Sequence, residues 1–148
     1  MVEKVSRQGA KTPRAPRFKN DIDEDQAAAA VVDSAIAIHR DLGPGLLESV
    51  YEAILAHKLE QRGFKIQRQV PVPLNYEGVK FKEAFRADLI VGDKVIVEIK
   101  TVERLNNAHR KQLLTYLKLT SLKVGILLNF SEALMKNGIT RIANAFDD

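Results

Sequence analysis

Two carboxylates and a lysine are the side chains of this sequence with the clearest chemical potential. Nine residues separate Asp88 from the tripeptide Glu98-Ile99-Lys100, and both segments alternate apolar and polar side chains. Two carboxylates held close together favour protonation unless a cation lies between them. Such oxygen ligands suit Mg²⁺ or Mn²⁺ rather than Zn²⁺. A divalent ion beside a lysine meets the needs of phosphodiester hydrolysis, because the cations offset charge that develops on the phosphate.

The register of the hairpin that would carry these residues follows from the apolar pattern. Two predicted strands, over 79–91 and 94–100, flank a glycine-aspartate turn. A two-residue loop would set Asp88 beside Val97 on an apolar face. A three-residue loop sets apolar residues opposite one another and Asp88 opposite Glu98, so we expect this second register. It places the Cβ atoms of the two acids about 5 Å apart.

An ordinary interpretation of a Glu-x-Lys strand is an exposed polar face with a weak ion pair. Lys100 would lie about 6.5 Å along the strand from Glu98, on the same face. The later segment 123–130 is almost entirely apolar, which predicts a strand buried on both faces and parallel to its neighbour. The strand 94–100 would then be central. Charges on a central strand are costly to bury, which favours a role in chemistry or pairing.

The remaining pattern predicts helices around this sheet. A helix begins at the capping residues Asp23 and Gln26, and prolines 71 and 73 confine their strand to a sheet edge. The predicted strand over 94–100, the helix over 107–119 and the strand over 123–130 form a strand-helix-strand unit, for which a right-handed crossover is expected. The predicted elements are helices over 24–41 and 46–62, a strand region over 65–76, the hairpin over 79–100, a helix over 107–119, a strand over 123–130 and a short edge strand around 139–142.

Composition limits the number of domains and the kinds of site. The chain has 148 residues, 45% of them hydrophobic, and no cysteine, which excludes disulfide frameworks, thiolate zinc sites, iron–sulfur clusters and cysteine nucleophiles. Residues 1–20 hold six basic and one acidic side chain, whereas the remainder holds 17 basic and 18 acidic. We expect residues 1–20 to form a disordered basic tail, either attracting phosphates or merely solvated, and residues 21–148 to form a single domain.

The apolar segments are short. None approaches the roughly 20 residues that span a bilayer, and the basic start is not followed by the apolar stretch of a signal peptide. We therefore expect a cytoplasmic protein with no membrane partner.

Three motifs resemble those of a known superfamily. Asp88 with Glu98-Ile99-Lys100 resembles the PD-(D/E)xK phosphodiesterase superfamily, although Ala87 stands where its name has proline. The segment Gly45 to Tyr51 is similar to the signature of the bacterial GxxExxY branch, and Gln112 to Tyr116 is similar to the Q-xxx-Y element of RecB-like and Cas4-like nucleases. The resemblance implies an α/β fold with a restriction-endonuclease-like core, in which helices flank a mixed central sheet.

The resemblance also implies a metal site. Asp88, Glu98 and the backbone carbonyl of Ile99 would bind Mg²⁺ (or Mn²⁺), and Glu48 would be an outer or second-metal carboxylate. Without the resemblance, Glu48 is an ordinary glutamate at the boundary of an apolar helix stripe, in a first turn that favours an acid.

The same resemblance assigns roles to three further side chains. Lys100 would position the attacking water or stabilise charge on the phosphate. Gln112 and Tyr116, one helical turn apart, would contact phosphate or orient Lys100. A structural hydrogen bond is the alternative interpretation of Gln112.

Three functions are consistent with these patterns. The first is a magnesium-dependent nuclease that acts on DNA or RNA, with phosphate attracted by Arg86, Lys100, Arg110 and Lys111. The second is a non-catalytic nucleic-acid-binding module that keeps the fold. The third is a protein-interaction module, including a homo-oligomer, that uses the helix pair 24–62 as its contact surface.

Overall fold

The structure is a computed structural model that describes residues 22–144, so the tail expected at 1–20 lies outside the described residues. The described part contains three α-helices, a five-stranded sheet and a short 3-10 helix. The elements are α1 (Glu24–Leu42), α2 (Glu48–Gln61), β1 (Ile66–Tyr76), β2 (Val79–Val91), β3 (Val95–Lys100), α3 (Asn107–Thr120), β4 (Val124–Asn129), the 3-10 helix (Met135–Gly138) and β5 (Ile139–Ala143).

The sheet is mixed, and its strands follow the order β1-β2-β3-β4-β5. Neighbouring strands are antiparallel except β3 and β4, which are parallel and joined through α3. Every residue of β4 is buried, as its apolar run predicts. The strand that carries Pro71 and Pro73 lies at one edge, where a missing backbone donor disrupts little.

Helices cover both faces of the sheet. On one face of β3, Val95, Val97 and Ile99 pack against α1 and α2. Ile96 of the same strand belongs to a second core with Leu113 of α3. The predicted α/β architecture, a restriction-endonuclease-like mixed sheet with flanking helices, is confirmed. Because β3 is packed on both sides, Glu98 is held away from bulk water, whereas Lys100 at the end of the strand is partly exposed.

The helix ends near the site are defined by specific contacts. Asp23 and Gln26 form the predicted capping box of α1. Helix α2 begins at Glu48, two residues later than predicted. The Tyr51 hydroxyl donates to the Gly43 carbonyl at 2.6 Å and accepts from the Leu46 amide at 3.2 Å, which fixes the turn between α1 and α2. This turn sets where α2 starts.

Gly125 allows close packing between β4 and α3. A Cβ at this position would lie 2.8 Å from the side chain of Leu113. We expect Gly125→Ala to lower the free energy of unfolding by about 1–3 kcal/mol, because the buried leucine must shift. Denaturant titration measures the loss. In a Leu113→Ala background the loss should shrink, and full additivity of the two losses would contradict this packing argument.

Candidate active site

The hairpin of β2 and β3 has the register predicted from its apolar side chains. Residues 92–94 form the turn, so the loop has three residues rather than two. The backbone partners are Val91 with Val95, Ile90 with Ile96 and Leu89 with Val97. This register directs Asp88 and Glu98 toward each other.

The backbone ladder of β2 and β3 ends one residue before the two acids. The Asp88 amide donates to Oε2 of Glu98 at 2.9 Å, and the Ile99 amide donates to Oδ2 of Asp88 at 2.8 Å. Each carboxylate therefore accepts a backbone N–H of the opposite strand in place of a ladder bond. The reciprocal bonds hold the two acids side by side although their charges repel.

Burial makes this acidic pair electrostatically costly. Glu98 is 5% exposed, and burial, followed by the charge of Asp88, raises its pKa to about 8. Burial also raises the pKa of Asp88, with a further contribution from the charge of Glu52. The amide of Ile99 and the ammonium of Lys100 oppose that rise by favouring the ionised carboxylate of Asp88. A cation placed between the acids would favour their ionised forms.

The donor chemistry fits a hard divalent cation. Asp88 and Glu98 offer carboxylate oxygens beside the backbone of Ile99, and Oε1 of Glu98 accepts no hydrogen bond from the described residues. Within residues 22–144, no group of three or more acidic or histidine side chains is arranged to hold a metal. Two carboxylates and a carbonyl leave several positions for water, which suits Mg²⁺ or Mn²⁺.

Lys100 lies at the end of β3, on the same strand face as Glu98 by strand alternation. Its charge lowers the pKa of both Asp88 and Glu98, so the ammonium lies close to the pair. Its backbone carbonyl accepts from the Phe130 amide at 3.0 Å. No described residue forms an ion pair with Lys100, which leaves its ammonium available to a ligand.

Of the two predicted residues of α3, Tyr116 is close to the acids. Its ring stacks on Phe85 with centroids 3.6 Å apart. Burial and the charges of Glu98 and Asp88 raise the pKa of Tyr116, so its phenol remains protonated. Gln112 is exposed one turn earlier on α3, and no described contact joins it to the acidic pair.

Glu48 lies beside the end of β3. Its Oε2 accepts from the amide of Thr101 at 2.9 Å and from the Thr101 hydroxyl at 3.2 Å. The carboxylate therefore holds the residue that follows Lys100, and it makes no hydrogen bond to Asp88 or Glu98. A metal-binding role for Glu48 stays a prediction.

Known proteins resemble this chain in sequence and in fold. A sequence model of the PD-(D/E)XK nuclease superfamily matches residues 25–142. The chain belongs to the PD-(D/E)XK nuclease superfamily. Its structure is similar to that of the solved protein SSO0001, with a TM-score of 0.53 and 25% sequence identity over 84% of this chain and 59% of that one. This chain thus spans less than two thirds of that protein. No curated protein matches it significantly.

Beside the motif of the PD-(D/E)XK superfamily lies a third acid that the sequence analysis missed. Glu52 is buried in α2, and its oxygens accept from Nε of Arg68 at 2.9 Å and from Nε2 of Gln69 at 2.6 Å. Nε2 of Gln69 also donates to Oδ1 of Asp88 at 3.3 Å. The available signal was the spacing of four between Glu48 and Glu52, which places them on one helix face.

The basic residues predicted around the acids differ in their contacts. Arg86 donates to Glu83 at 2.6 Å, so its charge is already paired. Arg110 and Lys111 are exposed on α3, and Arg110 contacts Asn107 at 3.4 Å. Lys100 is the basic side chain whose charge lowers the pKa of both acids. None of the helices within residues 22–144 has the length and apolarity that crossing a membrane demands.

Proposed function

We propose that the protein hydrolyses phosphodiester bonds of nucleic acid with a divalent metal, Mg²⁺ or Mn²⁺, at Asp88, Glu98 and Lys100. The observation that carries the proposal is the pair of reciprocal bonds between the acids and the opposing backbone. Such a pair sets two carboxyl groups close together in a buried position, and the charge of Lys100 favours their ionised forms. Membership of a nuclease superfamily supports the same chemistry.

The proposed metal ligands are Asp88, Glu98 and the backbone carbonyl of Ile99, with Glu48 as an outer carboxylate. A divalent ion bound there would lower the pKa of a water molecule and offset negative charge on the phosphate. Glu98 keeps Oε1 for this purpose, because its bond to the backbone uses Oε2. The bond from Thr101 leaves Oε1 of Glu48 for contacts through water.

The other proposed residues act on the substrate. The Lys100 ammonium donates to a phosphate oxygen or to the attacking water. A tyrosine hydroxyl is protonated at neutral pH, and burial, followed by the charges of Glu98 and Asp88, raises the pKa of Tyr116 further, so its hydroxyl donates a hydrogen bond to phosphate. Gln112 lies one turn away, where its amide reaches a neighbouring phosphate. The proposed substrate is DNA or RNA.

Cleavage with and without metal tests this function. We expect the purified protein to cleave labelled DNA or RNA, single-stranded or double-stranded, in Mg²⁺ or Mn²⁺ and to stop when the metal is chelated. Asp88→Asn should weaken Mn²⁺ binding, measured by calorimetry, by at least about tenfold, because it removes a charged ligand. Asp93→Asn is the matched control, since Asp93 lies in the turn of the same hairpin and pairs with Lys65 at 3.1 Å.

Other results would contradict the proposal. Equal cleavage in a chelator would exclude metal dependence. Binding without cleavage of any of the four substrates would instead favour a non-catalytic nucleic-acid-binding module. A stable oligomer with no nucleic-acid binding would favour a protein-interaction module.

A further inference from the structure

The amide of Gln69 lies between two carboxylates. Its Nε2 donates to Oε1 of Glu52 at 2.6 Å and to Oδ1 of Asp88 at 3.3 Å. The other oxygen of Asp88 accepts from the Ile99 amide at 2.8 Å. Both oxygens of Asp88 therefore accept hydrogen bonds, which fixes the rotation of this carboxylate about its Cβ–Cγ bond.

The backbone of β1 is irregular at Gln69. Its φ is 50°, in the left-handed region that side chains other than glycine rarely adopt. The residues on either side, Arg68 and Val70, pair with Leu89 and Ala87 of β2, but Gln69 and Asp88 are not backbone partners. Gln69 is exposed, so burial does not account for the strain. The strained backbone coincides with the two carboxylate contacts of this side chain.

Burial and a second hydrogen bond hold Glu52, which accepts from the Gln69 amide, in place. It is 5% exposed, and Nε of Arg68 donates to its other oxygen at 2.9 Å. Adjacent residues of β1 thus hold the two oxygens of one glutamate on α2. This pairing offsets the buried charge of Glu52 and leaves Gln69 in one orientation.

We propose that Gln69 is a positioning residue, which Glu52 orients so that its amide presents the Asp88 carboxylate to the metal. The inference rests on the proposed function, since it assigns Gln69 to the same metal site. Outer contacts of this kind commonly change metal affinity by 10- to 100-fold when they are removed.

Two substitutions distinguish the effect of the Gln69 side-chain amide from the effect of its left-handed backbone. Gln69→Met keeps the length of the side chain and removes the donor, and Gln69→Gly also relieves the left-handed backbone. Both should weaken Mn²⁺ binding about tenfold. In cleavage assays kcat should fall while KM for nucleic acid stays unchanged, because Gln69 does not touch the substrate. Gln67→Met, at an exposed position of β1 that pairs with Ile90, should behave as the wild type.

Crystal structures distinguish a failure of this inference from a failure of the proposed function. In Gln69→Met, we expect the Asp88 carboxylate to rotate away from its wild-type orientation. An unmoved carboxylate, or Mn²⁺ affinity equal to that of the wild type, overturns the positioning role. A wild-type protein that binds no Mn²⁺ overturns the proposed function, and the orientation of Asp88 in the metal-free variant still decides the role of Gln69.

Discussion

Replacing Lys100 by alanine is expected to lower kcat for nucleic-acid cleavage by about 10³-fold. The charge of this ammonium lowers the pKa of both Asp88 and Glu98. Its removal takes away a donor for charge that develops on the phosphate. Mn²⁺ binding should stay equal or become tighter, because the variant loses a positive charge beside the carboxylates. Single-turnover cleavage and calorimetry measure the two effects.

Lys94→Ala is the matched control for this prediction. Lys94 lies in the turn just before β3, at the opposite end of the strand from Lys100. Its loss should leave kcat unchanged. A Lys100→Ala protein that cleaves at the wild-type rate, or that loses activity only because it no longer binds Mn²⁺, would remove Lys100 from the proposed chemistry.

The register of the hairpin could be predicted because it depends only on which side chains are apolar. The alternation in β2 and β3 excludes the slip that would put Asp88 beside Val97. The end of the ladder could not be predicted in this way. It depends on Asp88 and Glu98 accepting backbone amides, and residue types do not reveal which donor an acid selects.

The contact between the Gln69 amide and Asp88 could not be predicted from the sequence for a different reason. Pro71 and Pro73 correctly predict an edge strand, but nothing in the sequence indicates the left-handed backbone two residues earlier at Gln69. The side chain at that position contacts Glu52 and Asp88, which are distant from it in the sequence. Tertiary contacts of this kind override the local preference of the chain.

The apolar run of β4 could be predicted as a buried parallel strand, yet it concealed a polar support. Asn129 is completely buried at its end. Its side chain accepts from the Val102 amide at 3.1 Å and donates to the Val102 carbonyl at 2.8 Å. It thereby holds the chain that leaves Lys100. The family resemblance indicates motif side chains such as Asp88 and Glu98, whereas supports such as Asn129 depend on packing between distant segments.

The metal-free protein is expected to lose stability as the pH rises from about 5 to 8, and Glu98→Gln is expected to remove most of that loss. The pKa of Glu98 is raised from 4.5 to about 8, first by burial and then by the charge of Asp88. Between these values the folded protein holds a proton that the unfolded chain releases, so the free energy of unfolding falls as the pH increases. The full rise in the pKa of Glu98 corresponds to a loss of roughly 4–5 kcal/mol in the free energy of unfolding.

Urea titrations in a chelator across this pH range measure the effect. Glutamine resembles the neutral form of Glu98 and still accepts from the Asp88 amide, so the variant should be more stable than the wild type near pH 8. Glu83→Gln is the control, because Glu83 is exposed on β2 and Arg86 lowers its pKa. A wild-type stability that stays level over this range would show that Glu98 is ionised without metal.

Magnesium should reverse the loss in the wild type alone. A cation binds the ionised acids of the folded protein, so millimolar Mg²⁺ should raise the unfolding midpoint more near pH 8 than near pH 6, where a bound proton competes with the metal. In Glu98→Gln, Mg²⁺ should raise the unfolding midpoint only slightly near both pH 6 and pH 8, because one charged ligand is missing. Equal rises in both proteins would place the magnesium elsewhere and separate the stability of the acidic pair from metal binding.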